Sequence, residues 1–149
     1  MFNIYSINDE LINDAAALFD QYRIFYKMES DLKSSQAFIS ARAKQQDSFI
    51  FVAYKENEPA GFAQIYPSYS SVAMKKIWIL NDLFVAMPFR KSGCATCLLS
   101  YVESQASNND VFSIKLATAS NNSQANELYY KLGYKRNQAF EHFSKIIRN

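Results

Sequence analysis

Residues 76–87, KIWILNDLFVAM, are almost wholly apolar, as a strand must be when both of its faces are covered. Such a strand belongs in the middle of a sheet, with a layer above it and a layer below. The run leads through PFRKSG into a stretch where Leu98, Leu99, Val102 and Ala106 recur at helical spacing, and then into VFSIKLATA (111–119). Strand, helix and strand in this order predict a β-α-β unit, right-handed, with parallel strands. Asn81 and Asp82 interrupt the first strand, although an unpaired carboxylate is costly to bury. A two-residue hairpin turn there would leave two very short strands and lacks the glycine such turns favour. The alternative is a bulge that opens the strand.

The rest of the chain supplies partners for that unit. FNIYSI (2–7) alternates like a strand, and Asn8 is placed to cap a helix whose stripe is Leu11, Ala15, Leu18, Phe19, Tyr22 and Tyr26. Ser30-Asp31 starts a second helix to about Gln46, with Leu32, Phe38 and Ile39 expected inward, so the two form a hairpin. SFIFVAYK (48–55) and AGFAQIYPSYS (60–70) are strands joined by a turn at ENEP (56–59), an antiparallel pair. NNSQANELYYKLGY (121–134) is a helix stopped by Gly133, and FEHFSKII (140–147) is expected to close the sheet as a last strand.

At 149 residues, with neither linker nor repeat, the expectation is one mixed α/β domain over 1–149. The charge balance, 16 basic against 14 acidic side chains, is too even for a nucleic-acid footprint, so any anion site must be local. The N-terminal residues lack a basic leader with an unbroken apolar stretch, and no run of about 18 apolar residues is present. No signal peptide and no membrane partner are expected. Two cysteines close together make no disulfide framework, which points to a reducing cytoplasm.

FRKSGCATC (89–97) supports three chemistries. Cys94 and Cys97 form a C-x-x-C at a helix start, where thiolates are stabilised, but they are also small residues suited to close packing on a buried helix. A structural metal site needs about four ligands, and His142 is the one further soft ligand, so no metal is expected. The third is an anion cradle, with a tight turn after a buried strand, amides pointing into it and a helix dipole behind. Arg90, Gly93 and Ala95 fit it.

With its neighbours, this stretch resembles the GNAT family of N-acetyltransferases, whose acetyl-CoA signature is Gln/Arg-x-x-Gly-x-Gly/Ala at the start of the helix after the central strand. LFVAMPFRKSGCATCLL carries that signature, and a second family block, Asn-x-x-Ala-x-x-Leu-Tyr-x-x-x-Gly-Phe/Tyr, is matched by NSQANELYYKLGY (122–134). The resemblance implies an α/β (α+β) GNAT-type fold, with a mixed central sheet of about 6–7 strands, helices on both faces and a splayed central strand pair. It also implies that backbone amides from Arg90 through Lys91, Ser92, Gly93, Cys94, Ala95 and Thr96 hold the coenzyme A pyrophosphate. The pantetheine arm would then pair with Leu83, Phe84 and Val85.

Asn122 lies where the family often has a cofactor contact, although an asparagine at a helix start is commonly a cap. Tyr129 matches the tyrosine that protonates the departing thiolate. A primary amine of pKa about 10.4 must also lose a proton, a cost of about 4–5 kcal/mol at neutral pH. Asp82 is the candidate base. IWILNDLFVAMPFRKSG is most similar to diamine and polyamine acetyltransferases, whose glutamate falls on Asn81; since asparagine cannot accept a proton, Asp82 orients the amine for an ordered water, takes the proton itself, or serves another substrate. Substrate selectivity in this fold comes from the helix hairpin and the strand ahead of the central one, which here offer Tyr22, Arg23, Tyr26, Tyr66, Tyr69 and Ser70.

The expected activity is therefore acetyl-CoA-dependent transfer to a primary amine of a small molecule, a polyamine, diamine or amino acid. A protein or peptide amine and a non-catalytic acyl-CoA-binding module are the alternatives. The resemblance leaves open a homodimer through the late strands.

Overall fold

The computed structural model describes residues 1–148. Phe49–Lys55 (β2) and Glu58–Ser70 (β3) pair antiparallel around Glu56 and Asn57, whose φ values of 50° and 66° are those of the tight hairpin turn that matches strand twist. Lys75–Val85 (β4) returns antiparallel to β3, Asn3–Ser6 (β1) adds antiparallel to β2, and Ser113–Leu116 (β5) lies parallel to β4. The strand order is β1-β2-β3-β4-β5. The expected β-α-β unit is present as β4, a helix over Cys94–Asn108 (α3) and β5.

Ile12–Phe25 (α1) and Leu32–Gln45 (α2) pack on each other and are tied together by one carboxylate. Asp20 accepts from Ser30 Oγ at 2.6 Å, from the Asp31 amide at 2.8 Å and from Ser35 Oγ at 3.3 Å. Those hydrogen bonds, Ser30 foremost, hold its acid below the usual carboxylate range against the opposing effect of burial. Asn8 caps as expected, its Oδ1 accepting from Glu10 and Leu11 at the short turn before α1.

Helices cover both faces of the sheet. On one, Phe62 and Phe84 meet Tyr22 of α1 at ring separations of 5.6 and 5.9 Å, and Ile39 of α2 joins the same core with Ile50 and Val52. On the other, Phe51 meets Tyr101 of α3 at 5.1 Å, above a floor where Gly61 is required. A Cβ at Gly61 would lie 2.6 Å from the Phe84 carbonyl oxygen and 3.3 Å from Leu98.

The described residues divide into two units, one from Met1 to Ala117 and one from Thr118 onward. The second carries Ser123–Lys131 (α4), ended by Gly133 at φ 92° as the sequence predicts. Two expectations are corrected. The sheet has five strands rather than six or seven, because 140–147 forms no strand: its Phe140, Phe143, Ile146 and Ile147 are spaced by threes and one rather than by twos, and all are exposed. Of the three residues expected inward on α2 only Ile39 is buried; Leu32 sits in the exposed first turn, and Phe38 lies at the rim, stacked on Phe19 at 5.3 Å.

Candidate active site

The break in the apolar strand is a bulge. Gln64 opposes Asp82 and Ile65 opposes Leu80, so Asn81 is the extra residue and the hairpin-turn alternative is removed. The parallel ladder with β5 ends at Leu80 opposite Leu116, yet β4 runs on to Val85. Asn81, Asp82, Leu83, Phe84 and Val85 therefore continue past the strand that flanks the first half of β4.

Asp82 is buried at the bulge, and the exposed Asn81 donates to its Oδ2 at 3.0 Å. Burial first, then the Asp82 charge and a hydrogen bond to it, push the Tyr22 hydroxyl far above its ordinary pKa. Tyr66 is pushed up as well, by burial and then by Asp82, with Arg42 opposing. The Tyr26 ring packs against Tyr22 at 5.0 Å. Two of the six predicted substrate residues, Tyr22 and Tyr66, thus lie within electrostatic reach of one carboxylate, with Tyr26 packed against Tyr22, surroundings that suit a cation.

The other three lie elsewhere. Arg23 donates to the Glu29 carbonyl at 3.2 Å and serves the turn between α1 and α2. Tyr69 is 72% exposed, five residues along β3 from Gln64, or about 16 Å at strand rise. Ser70 accepts from the Ala73 amide at the far end of the same hairpin.

Beyond β4, Arg90 folds back, its Nε donating to the Val85 carbonyl at 3.0 Å and its guanidinium 5.7 and 5.6 Å from the Phe25 and Phe84 rings. Ser92 Oγ donates to the Phe89 carbonyl. Lys91 and Gly93 both take left-handed φ, 59° and 87°, and a Cβ built on Gly93 meets nothing within 4 Å. Gly93 is the N-cap of α3 and brings no side chain to its first amides, those of Cys94, Ala95 and Thr96. An uncapped N-terminus behind an open glycine fits a pyrophosphate. The C-x-x-C has a different character. Cys94 is buried and its thiol is pushed up to about 12, chiefly by desolvation, which opposes thiolate formation at neutral pH, while Cys97 is exposed.

In the second unit, Tyr129 lies on α4 with its ring 5.7 Å from that of Tyr134, whose amide donates to the Tyr129 carbonyl at 2.9 Å. Asn122 is a cap, its Oδ1 accepting from the Ala125 amide at 3.2 Å. One residue escaped the sequence reading: Gln64, fully buried opposite Asp82. Its signal was a lone amide inside the apolar run AGFAQIY.

A model of the acetyltransferase (GNAT) family matches residues 13–134. The chain belongs to that family. YhfO of Bacillus subtilis, described as an uncharacterized N-acetyltransferase, is 41% identical to this GNAT protein over 141 residues, which cover 93% of this chain and 95% of the relative. A crystal structure described as a probable acetyltransferase is 32% identical, with a TM-score of 0.91 and 99% of each chain covered. An aminoglycoside N-acetyltransferase solved in complex with CoA shares the fold at 18% identity and TM-score 0.82, over 97% of this chain and 95% of that one. The GNAT family uses acetyl-CoA, and this member is an acetyltransferase with the family's mixed α/β fold. Among the described residues no helix is long and apolar enough to cross a membrane.

Proposed function

We propose that this GNAT enzyme transfers the acetyl group of acetyl-CoA to a primary amine of a small molecule by direct attack, and that the amine arrives as a cation. The observation that carries this reading is Asp82, buried at the β4 bulge within electrostatic reach of Tyr22 and Tyr66. A carboxylate among aromatic rings attracts an ammonium group and is placed to take its proton. Bound acetyl-CoA supplies the electrophilic thioester carbonyl. Backbone groups of Leu83, Phe84 and Val85 hold the pantetheine arm as an added strand, and the turn from Arg90 to Thr96 holds the pyrophosphate. Tyr129 donates the proton that the departing thiolate needs. Asn81 donates to Asp82 and keeps the carboxylate oriented.

Arg23 is engaged at the helix turn, so the site favours a diamine or polyamine over a substrate that needs a carboxylate partner. The proposal includes a single domain over 1–149, working in the cytoplasm alone or as a homodimer.

The test follows thiol release from acetyl-CoA across diamines, polyamines, amino acids and peptides. Fastest turnover on a small cationic amine is expected. Turnover on peptides alone would move the acceptor to the protein class, and none above hydrolysis would leave a binding module. Tyr129→Phe is expected to lower turnover while leaving coenzyme A affinity in place, and unchanged turnover would remove the acid role.

A further inference from the structure

Gln64 has no exposed surface. Its Nε2 donates to Ser48 Oγ at 3.4 Å, but its Oε1 is buried with no hydrogen-bond partner. An unmade hydrogen bond of this kind costs the full desolvation of the carbonyl, and an apolar side chain would avoid it. The residue directly across the ladder is Asp82. Paired residues of an antiparallel ladder project from the same face with Cβ atoms about 5 Å apart. That face is the one toward α1, because Phe62, two residues before Gln64, and Phe84, two after Asp82, both meet Tyr22.

While Asp82 is ionised, its oxygens and Gln64 Oε1 are all acceptors, with no proton to share between them. One proton on the carboxylate changes this, since a carboxylic O–H can donate to the waiting carbonyl. We propose that Gln64 is a positioning residue whose open carbonyl receives the O–H that Asp82 acquires when it takes a proton from the acceptor's ammonium group. An N–H bond of the ammonium breaks and an O–H bond forms on Asp82, the positive and negative charges cancel, and no oxidation state changes; the electron pair of the broken N–H bond stays on nitrogen as the lone pair that attacks. This rests on Asp82 being the base.

Other polar and charged groups face this region from β3, β4, α1 and α2. Asn81 on β4 donates to Asp82 Oδ2, and Tyr22 on α1 feels the Asp82 charge. Tyr26 on α1 packs against Tyr22, Tyr66 lies on β3, and Arg42 on α2 and Asp47 beyond it act on Tyr66 with opposite signs. Gln64 is the group that is satisfied when Asp82 is neutral.

Replacing Gln64 with Met removes the carbonyl at similar length. The Asp82 carboxyl is then titrated through its carbon NMR signal in both proteins, beside the pH profile of kcat/KM and the KM for acetyl-CoA. The expected result is a proton affinity of Asp82 about tenfold weaker in the variant, with the acid limb of the profile moved to lower pH and the acetyl-CoA KM unchanged. A titration that stays in place, or moves to higher pH because the amide NH2 had faced the carboxylate, overturns the proposal. Gln64→Leu repeats the test if the Met variant does not fold. Full turnover in Asp82→Asn would overturn the base and the Gln64 role together, whereas lost turnover there with a titration unmoved by Gln64→Met overturns the Gln64 role alone.

Discussion

The two faces of the sheet are built on opposite rules. Toward α3, the buried positions are Cys94, Leu98, Leu99, Val102 and Ala106, closed over Phe51 and Gly61. Toward α1 and α2, the core holds every buried polar or charged residue among those described: Asp20, Ser35, Gln64 and Asp82. Asp20, Ser35 and Asp82 each have hydrogen-bond partners, and Gln64 is half-satisfied. A face with few polar groups to match can be packed to density and left rigid. The opposite face accepts the desolvation of two carboxylates, a hydroxyl and an amide, and that is where the acceptor chemistry is proposed. One side steadies the sheet so that the other can hold its charges at fixed positions.

If that division is right, substitutions on the two faces should separate cleanly. The largest effect is expected from Asp82→Asn, which should lower kcat/KM about a hundred- to ten-thousand-fold with the fold intact, measured by thiol release beside a thermal melt. A melt that collapses with the activity would make Asp82 part of the scaffold. On the opposite face, Leu98→Ala should cost about 3 kcal/mol in a denaturant titration while the folded fraction keeps its turnover number. Lost turnover in the folded fraction would show that the α3 face is not merely support.

Asp20→Ala should cost about 2 kcal/mol, because two hydroxyls and an amide lose a charged acceptor. The sign of its pH dependence follows from a folded-state acid held below its ordinary value of 3.8. Asp20 contributes fully above that value, and the contribution fades as pH falls through the lower folded value, so the gap between the variant and the parent should close in acid. A gap that persists at the lowest pH where both fold would assign the loss to packing. Smallest is Cys97→Ser, expected within about 0.5 kcal/mol in stability and without effect on acetyl transfer. Abolished transfer in that variant would restore a thiol role to the C-x-x-C.

The sequence made the α3 face and the central strand legible because burial on both sides leaves an apolar run that no other element imitates. The Asn81-Asp82 break was visible for the same reason, and the register fixes it as a bulge. The family blocks brought in Arg90 through Thr96 and Tyr129, which composition and periodicity alone would have left as a turn and a helix. What stayed illegible depends on partners distant in the chain. Arg23 stood among the candidate substrate residues, and its guanidinium donates to the Glu29 carbonyl. Tyr69 and Ser70 share a strand with Tyr66 but lie farther along it from the bulge. Gln64 looked like an ordinary strand residue until its opposite number was known. The 140–147 segment has the composition of a strand without its alternation, and composition alone over-counted the sheet.

The bulge at Asn81 also bears on how the molecule behaves in company. Outer strands invite pairing with another chain, and here both are brief, four residues each in β1 and β5. Among the described residues, two longer strands also run past their neighbours, β3 over 66–70 beyond the end of β2 and β4 beyond Leu80, and the second begins with the bulge, which twists the backbone away from the flat template that aggregation requires. A bent edge of this kind is a poor template for a second sheet, so the distortion that interrupts the strand also guards its open end against edge-to-edge pairing.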